Sequence, residues 1–130
     1  MIVDASAMLA VLLVEPERDR FLQILHNRTN LSVSVVNFVE AGIKVDKDPD
    51  QERPLLLDNM IAAFGIEIVP VSIEQGKLAR EAHKQFGRGS GHPARLNLGD
   101  CFAYALAKLR GEPLLFKGDD FGKTDIEAVA

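Results

Sequence analysis

Short apolar runs alternate with longer helical patterns along this chain, and that alternation is the feature that most restricts its fold. The runs that read as strands are "MIV", "NLSVS", "IEIVPV" and "EPLLFK", and the end segment "DIEAV" is a possible fifth. Strands that alternate with helices form a mostly parallel sheet with helices on both faces. We therefore expect an α/β fold with a four- to five-stranded sheet, built as a single domain over residues 1–130.

Six segments between and after these strands have helical character. They are "ASAMLAVLLVE", "EPERDRFLQILHN", "VVNFVEAGIKVD", "LLLDNMIAAFG", "SIEQGKLAREAHKQFG" and the segment within "LNLGDCFAYALAKL". The last one is apolar at every position from 101 to 107. Apolar residues on all sides of a helix indicate burial on all sides. Asp100, at the N-terminal end of this run, should therefore lie at the edge of the protein interior.

The composition is that of an ordinary globular protein, with 47% hydrophobic and 26% charged residues. Cys101 is the only cysteine, so there is no disulfide framework, and its apolar surroundings favour a small buried side chain over a reactive thiol. No apolar run approaches the roughly 18 residues of a membrane span. The start "MIVDASAML" has an acid where a signal peptide would have basic residues. These features predict a soluble, cytoplasmic protein with no membrane association.

Four acidic residues from separated parts of the chain are predicted to converge at one edge of the sheet. Asp4 follows the first strand, Glu40 lies in the helix after the second, Asp100 opens the buried helix, and Asp119 follows the fourth strand. In open α/β sheets, ligands bind outside the carboxyl ends of the strands. One metal site would account for all four positions.

Each of the four acids also has a purely structural explanation. Asp4 and Asp100 are good N-cap residues. Glu40 could form a surface ion pair with Lys44 at the helical i,i+4 spacing. The segment "KGDDFGKTD" could be only a turn, because Gly and Asp are common in turns.

Several blocks resemble the PIN-domain ribonucleases, in particular the VapC-type toxins of type II toxin–antitoxin pairs. These blocks are "IVDASA", "SVVNFVEA", "GRGSGHPARLNLGDCFAYALAK" and "LLFKGDDFGKTDI", and the resemblance runs from residue 2 to about residue 126. It implies a Mg²⁺-dependent endoribonuclease that forms a homodimer and is held inactive by a VapB-type antitoxin. The acidic cluster carried over is Asp4, Glu40, Asp100 and Asp119, with Ser6 and Asn37 at supporting polar positions.

The residue types agree with that chemistry. Carboxylates without histidine or thiolate suit Mg²⁺, for which Mn²⁺ should substitute, better than zinc. We expect Asp4, Glu40 and Asp100 to hold the metal directly or through water, while Asp119 orients the attacking water or binds a second ion. Asp120 is expected to lie past the site, because Gly118 can turn the chain so that Asp119 points toward the other acids.

Possible RNA contacts lie on a basic stripe. It comprises Lys77, Arg80, Lys84 and Arg88, which share one helical face, followed by His92 and Arg95. Such groups would meet backbone phosphates. The alternative is a solvated face interleaved with Glu74 and Glu81. The net charge of −4 does not exclude RNA binding, because four acids held by metal would leave 15 acids against 15 basic residues.

Two rival classes remain open at the level of sequence. The chain could be a non-catalytic PIN-like module that binds RNA or protein, although such a module has no need of all four acids. It could also be a phosphoacceptor signalling domain, which gathers acids around Mg²⁺. That class requires an aspartate after a central strand and a lysine after a late strand. The third strand here ends without an acid, and Lys117 is the only candidate lysine.

Overall fold

A four-stranded parallel sheet forms the centre of the computed structural model, which describes residues 1–129. The strands are β1 (Ile2–Val3), β2 (Ser32–Ser34), β3 (Glu67–Val69) and β4 (Leu114–Leu115), and their order in the sheet is β3-β2-β1-β4. The predicted α/β class and parallel sheet are confirmed. The carboxyl ends of β2, β1 and β4 are neighbours, which brings three separated parts of the chain together at one edge.

Six helices surround the sheet. They are α1 (Ala5–Leu12), α2 (Arg18–His26), α3 (Val35–Asp46), α4 (Arg53–Phe64), α5 (Ile73–Phe86) and α6 (Leu98–Arg110). Their ends follow local chemistry. The side chain of Ser72 accepts a hydrogen bond from the backbone of Gln75 at the start of α5. Gly65 ends α4 in the left-handed conformation that glycine adopts without strain.

The sheet is covered on both faces by separate hydrophobic cores. Val3, Val33 and Leu115 point into a core built with α1, α2, α3 and α4. Ile2 and Leu114 point to the opposite face, into a core built with α5 and α6. Successive strand residues point to opposite faces, so the alternation within β1 and β4 feeds both cores. The sheet edge that carries the acids is therefore held rigidly from two sides.

Helix α6 is buried along most of its length, as its apolar sequence predicts. Cys101 is 1% exposed, and burial raises the pKa of its thiol to about 11, which leaves it protonated and unreactive at neutral pH. Tyr104 is also buried, and its hydroxyl donates a 2.7 Å hydrogen bond to Asp125. Within residues 1–129, no helix is long and apolar enough to span a bilayer.

The segment "DIEAV" does not form a fifth strand. It pairs with the sheet at a single point, where Ala128 lies opposite Leu114. The side chain of Asp125 instead accepts hydrogen bonds from both Tyr104 and Lys108, at 2.7 Å each, which fixes the segment against α6. A short 3-10 helix (Phe121–Lys123) precedes it and anchors the loop after β4 through the buried ring of Phe121.

Candidate functional site

A cleft of about 530 Å³ opens at the carboxyl edge of the sheet, where three of the four predicted acids come together. Its lining residues are Asp4, Ala5, Ser6, Leu9, Glu40, Ile43, Lys44, Lys47, Asn97 and Asp100. The acids come from the end of β1, from α3 and from the first turn of α6. The topology thus brings together carboxylates that are far apart in the sequence.

Asp4 lies at the bottom of this cleft and is 3% exposed. It is the N-cap of α1, and its Oδ2 accepts hydrogen bonds from the backbone N–H of Ser6 at 3.0 Å and from the Ser6 hydroxyl at 2.6 Å. Its other oxygen, Oδ1, is buried and has no hydrogen-bond partner among the described residues. Asp4 is therefore a helix cap and also carries a carboxylate oxygen that is available to a ligand in the cleft.

Ser6 connects Asp4 to the opposite end of the chain. Its Oγ donates to Asp4 and accepts a 3.0 Å hydrogen bond from the backbone N–H of Lys117, directly after β4. The ammonium group of Lys117 lies 2.9 Å from Glu15 Oε2 and 3.6 Å from Glu17 Oε1, in the turn between α1 and α2. The loop after β4 is thus attached to Asp4 through one hydroxyl group.

Glu40 is held by Asn37 and does not pair with Lys44. The Asn37 side-chain amide is fully buried and donates to Glu40 Oε1 at 2.7 Å and to the carbonyl oxygen of Gly99 at 3.0 Å. The ion pairs found over residues 1–129 do not include one between Glu40 and Lys44. The amide of Asn37 thus fixes the Glu40 carboxylate against the start of α6.

Asp100 lies in the first turn of α6 and forms a capping box with Asn97. Its backbone N–H donates to Asn97 Oδ1 at 2.8 Å, and its Oδ2 accepts from the Asn97 backbone N–H at 3.0 Å. The N-cap is therefore Asn97, while Asp100 is the acidic partner three residues later. Like Asp4, Asp100 therefore both stabilises the start of a helix and supplies a carboxylate to the cleft.

Burial raises the pKa of all three carboxyl groups, and each also feels the charge of another. Removal from water is the main cause at Asp4, Glu40 and Asp100, and it raises the pKa of Asp100 to about 6. The negative charge of Glu40 adds to the rise at Asp4, that of Asp100 to the rise at Glu40, and that of Asp4 to the rise at Asp100. The three groups therefore form one electrostatic cluster, which a cation would stabilise in its ionised form.

The loop after β4 places Asp120, and not Asp119, among the charges that act on this cluster. The carboxylate of Asp120 is one of the groups that raise the pKa of Asp100. Gly118 has a φ of 98°, which confirms the expected turn at the end of β4. Both aspartates are exposed and neither lines the cleft. The charge of Asp120 thus acts on this cluster, while the assignment of Asp119 as the fourth acid stays a prediction.

The donor set of the cleft fits a hard divalent cation. Over residues 1–129, no three His, Cys, Asp or Glu side chains are already arranged as ligands around one point. Three carboxylates nevertheless share the cleft, and the buried Oδ1 of Asp4 lacks a partner. Carboxylate oxygens without soft ligands favour Mg²⁺ or Mn²⁺, and Mg²⁺ keeps several of its waters, so it does not require all ligands in direct contact.

The predicted basic stripe is divided between different surroundings. The positive charge of Arg88 lowers the pKa of Asp100, so Arg88 lies near the acids. Arg80 and Lys84 line a separate hollow of about 710 Å³ between α5 and α6. Lys77 and Arg95 are exposed and line neither hollow. Only Arg88 is thus placed close to the acidic cluster.

Comparison with known proteins identifies the family of this chain. The PIN domain family model matches residues 1–127. The chain belongs to the PIN-domain family. Ribonuclease VapC28 of Mycobacterium tuberculosis is 44% identical over 127 residues, which cover 98% of this chain and 96% of the relative. Ribonuclease VapC42 of the same species is 43% identical over 126 residues, covering 97% and 96%. Within the family, the chain therefore groups with the VapC ribonucleases.

A solved PIN-domain structure shows the same fold at low sequence identity. It is the crystal structure of Mycobacterium tuberculosis VapC20, a toxin that cleaves the sarcin–ricin loop. The two chains superpose with a TM-score of 0.79 at 12% identity, over 98% of this chain and 97% of VapC20. This likeness supports the architecture alone.

Sequence reasoning missed several residues of this PIN-domain cleft. Asn97 and Gly99 shape the first turn of α6, and the spacing Asn97 to Asp100 was the available signal for a capping box. Lys44 and Lys47 line the cleft, but their exposed positions on α3 gave no indication of it. Nothing in the local sequence indicated that Gly99 lies against Glu40.

Proposed function

We propose that this chain is the toxin of a type II toxin–antitoxin pair and a Mg²⁺-dependent endoribonuclease that hydrolyses RNA phosphodiester bonds, with Mn²⁺ able to replace Mg²⁺. One observation carries the proposal: Asp4, Glu40 and Asp100 share one cleft, and burial together with their mutual repulsion raises the pKa of each. The hydrogen bonds from Ser6, Asn37 and Asn97 do not offset the burial of three like charges, because the pKa of each acid remains raised. A bound cation would stabilise all three carboxylates in their ionised form.

In this mechanism, Asp4, Glu40 and Asp100 hold the cation, directly or through water. When bound, the ion supplies a more acidic water molecule and offsets negative charge at the scissile phosphate. Ser6 fixes the Asp4 carboxylate by its 2.6 Å hydrogen bond, and Asn37 fixes Glu40 by its 2.7 Å hydrogen bond. An acid of the loop after β4, Asp119 or Asp120, would orient a water molecule for attack on the phosphorus, with a ribose oxygen as the leaving group.

The decisive experiment measures cleavage of labelled single-stranded RNA by purified protein with Mg²⁺, with Mn²⁺ and with EDTA. Cleavage is expected with either ion and none with EDTA. The Asp100→Asn variant should be inactive while keeping its far-UV circular dichroism, because asparagine retains the acceptor of the capping box but not the charge. If wild-type protein binds RNA without cutting it under all three conditions, the chain is a non-catalytic PIN-like module.

We further propose that a VapB-type antitoxin inhibits the enzyme and that the active form is a homodimer in the cytoplasm. An antitoxin segment that carries a basic side chain, such as arginine, would pair with the acids of the cleft and so compete with the cation. Excess Mg²⁺ should therefore weaken the inhibition or leave it unchanged. Unchanged antitoxin affinity in an Asp4→Ala, Asp100→Ala double variant would show that inhibition acts elsewhere, and size-exclusion chromatography with light scattering tests the dimer.

A further inference from the structure

Lys44 and Lys47 line the same cleft as the three acids, at the carboxyl-terminal end of α3. Both side chains are exposed. The ion pairs found over residues 1–129 include neither of them. The cleft therefore has an acidic end and a basic end, and the two lysines are available to an anionic ligand.

The acidic and basic ends of the cleft are a fixed distance apart, because Glu40 and Lys44 belong to α3 and Lys47 directly follows it. Each residue advances an α-helix by about 1.5 Å, so Lys44 lies about 6 Å and Lys47 about 10 Å beyond Glu40 along the helix axis. Glu40 itself is fixed by Asn37 at 2.7 Å. A chain of phosphate groups that has one phosphate at the acids would thus bring a following phosphate within reach of the lysines.

A third cation lies on another part of the cleft wall. Arg88 belongs to the loop after α5, which forms a bridge with the segment before α6 where Gly87 lies opposite Leu96. The backbone N–H of Arg88 donates to the carbonyl of Leu96 at 3.0 Å, which attaches the base of this loop close to the start of α6. The exposed side chain of Arg88 therefore starts beside Leu96, the neighbour of the cleft residue Asn97. Lys44 and Lys47 reach the same cleft from the end of α3.

We infer that the RNA strand crosses the acidic cluster between these cations, with phosphates on one side contacted by Lys44 and Lys47 and a phosphate on the other side contacted by Arg88. The inference rests on the proposed ribonuclease function and adds the path that the RNA backbone takes across the site. RNA fits this arrangement because its phosphates carry the charge opposite to that of the two lysines, whereas an antitoxin arginine would pair with the acids and leave the lysines without a partner. Such contacts position the backbone and do not read the sequence.

The test compares the Lys44→Ala, Lys47→Ala double variant with an Arg20→Ala, Arg28→Ala control. The control removes the same charge from a separate hollow near the end of α2. RNA binding is measured by fluorescence anisotropy with a labelled 20-nucleotide RNA of mixed sequence, on an Asp100→Asn background with Mg²⁺. We expect the lysine variant to bind about tenfold more weakly and its log–log salt slope to fall by about 1.4, whereas the control changes neither.

Single-turnover cleavage by the same variants with Asp100 intact gives an independent measurement. With enzyme in excess over RNA, the enzyme concentration for half-maximal rate should rise about tenfold in the lysine variant, with the maximal rate kept within about twofold. The affinity for Mn²⁺ alone, measured by electron paramagnetic resonance, should not fall, because removing two cations near the acids reduces repulsion. A merely structural role of the lysines would weaken Mn²⁺ binding as well.

Several outcomes would overturn the inference. RNA affinity and salt slope equal to those of the control would show that the lysines do not contact RNA. Unchanged affinity in Arg88→Ala would exclude the path across the cluster. Loss of affinity only toward purified antitoxin would assign the lysines to the protein partner. A wild-type protein that binds RNA but never cleaves it would contradict the proposed function. The RNA affinities of the lysine variant and its control would still show whether Lys44 and Lys47 contact RNA.

Discussion

Gly99 allows the carboxylate of Glu40 to lie directly against the first turn of α6. A Cβ atom at position 99 would overlap the Glu40 carboxylate, and the Asn37 amide bridges the two residues by donating to both. The glycine is buried and its backbone is helical, so its role is to leave space. Because Gly99 has no side chain, Glu40 can lie close to Asp100.

The Gly99→Ala substitution should therefore reduce cleavage by at least tenfold, because Glu40 must move away from the cluster. Gly76→Ala is the matched control, since Gly76 is also helical and a Cβ there meets no atom within 4 Å. Alanine at position 76 should stabilise the protein by about 0.5 to 1 kcal/mol and leave cleavage unchanged. Cleavage rates and urea unfolding of both variants check this. Full activity in Gly99→Ala would mean that the Glu40 position is not required.

Ser6→Ala should weaken Mn²⁺ binding by about tenfold or more, because partners that orient a metal-binding carboxylate have effects of this size. The substitution removes the hydroxyl that donates to Asp4 and accepts from Lys117. Ser6→Thr keeps the hydroxyl and should restore most of the affinity. Ser72→Ala, which removes a helix cap at the start of α5, serves as the control for a purely structural loss. Mn²⁺ titration followed by electron paramagnetic resonance measures the effect, and equal affinities in Ser6→Ala and wild type would refute it.

Much of the fold could be predicted from the sequence because burial imposes periodicity. The strand β1 is apolar and so are positions 101–107 of α6, and the structure buries all of these residues except Phe102, which is partly exposed. The helix α3 begins and ends where its pattern predicts, at Val35–Asp46. The segment "DIEAV", a possible fifth strand by its sequence, forms only one bridge to the sheet, and hydrogen bonds from Tyr104 and Lys108 to Asp125 fix its position.

The Asp119→Asn and Asp120→Asn variants separate the two aspartates that follow Gly118. We expect Asp120→Asn to lose more cleavage activity and more Mn²⁺ affinity, because its charge acts on Asp100. Asp119→Asn should behave almost as wild type. The two variants have the same charge and the same neighbouring sequence, so each controls for the other. The reverse ranking would restore the assignment made from the sequence.

The metal-free protein should become less stable as the pH rises through the range in which Asp100 ionises. Its pKa is about 6 when folded, above the ordinary value of 3.8, so the folded state binds this proton more tightly than the unfolded state. Its contribution to stability is therefore present below about pH 4 and is lost as the pH rises toward 6. Asp100→Asn removes this dependence.

Urea unfolding of wild type and Asp100→Asn in EDTA between pH 4 and pH 7 measures the effect. Relative to wild type, the variant should gain about 1 kcal/mol across this range, after allowance for the partial exposure of the group to solvent. Mg²⁺ should raise the melting temperature of wild type at pH 7 and have little effect on the variant. A stability difference that stays constant with pH would contradict the pKa assignment.

The details of the site that sequence could not provide are those that depend on distant contacts. The sequence indicated that Asp4, Glu40 and Asp100 would meet, because the ends of parallel strands share an edge. It did not indicate that Asn37 would hold Glu40 and leave Lys44 free for the cleft, because the i,i+4 spacing fitted a surface pair equally well. The choice between neighbouring aspartates depends on one backbone turn, which local sequence does not determine.

The bond between Ser6 and Lys117 also has a consequence for protein synthesis. Asp4 is made before the groups that support it, because its backbone N–H donates to the carbonyl oxygen of Leu115 and its partner Ser6 accepts from the backbone N–H of Lys117. Both of these groups are made more than a hundred residues later, and β4 cannot join the sheet until it has emerged. A partly synthesised chain therefore lacks the hydrogen bonds that support Asp4, so the acidic cluster is complete only after β4 has been translated and has joined the sheet.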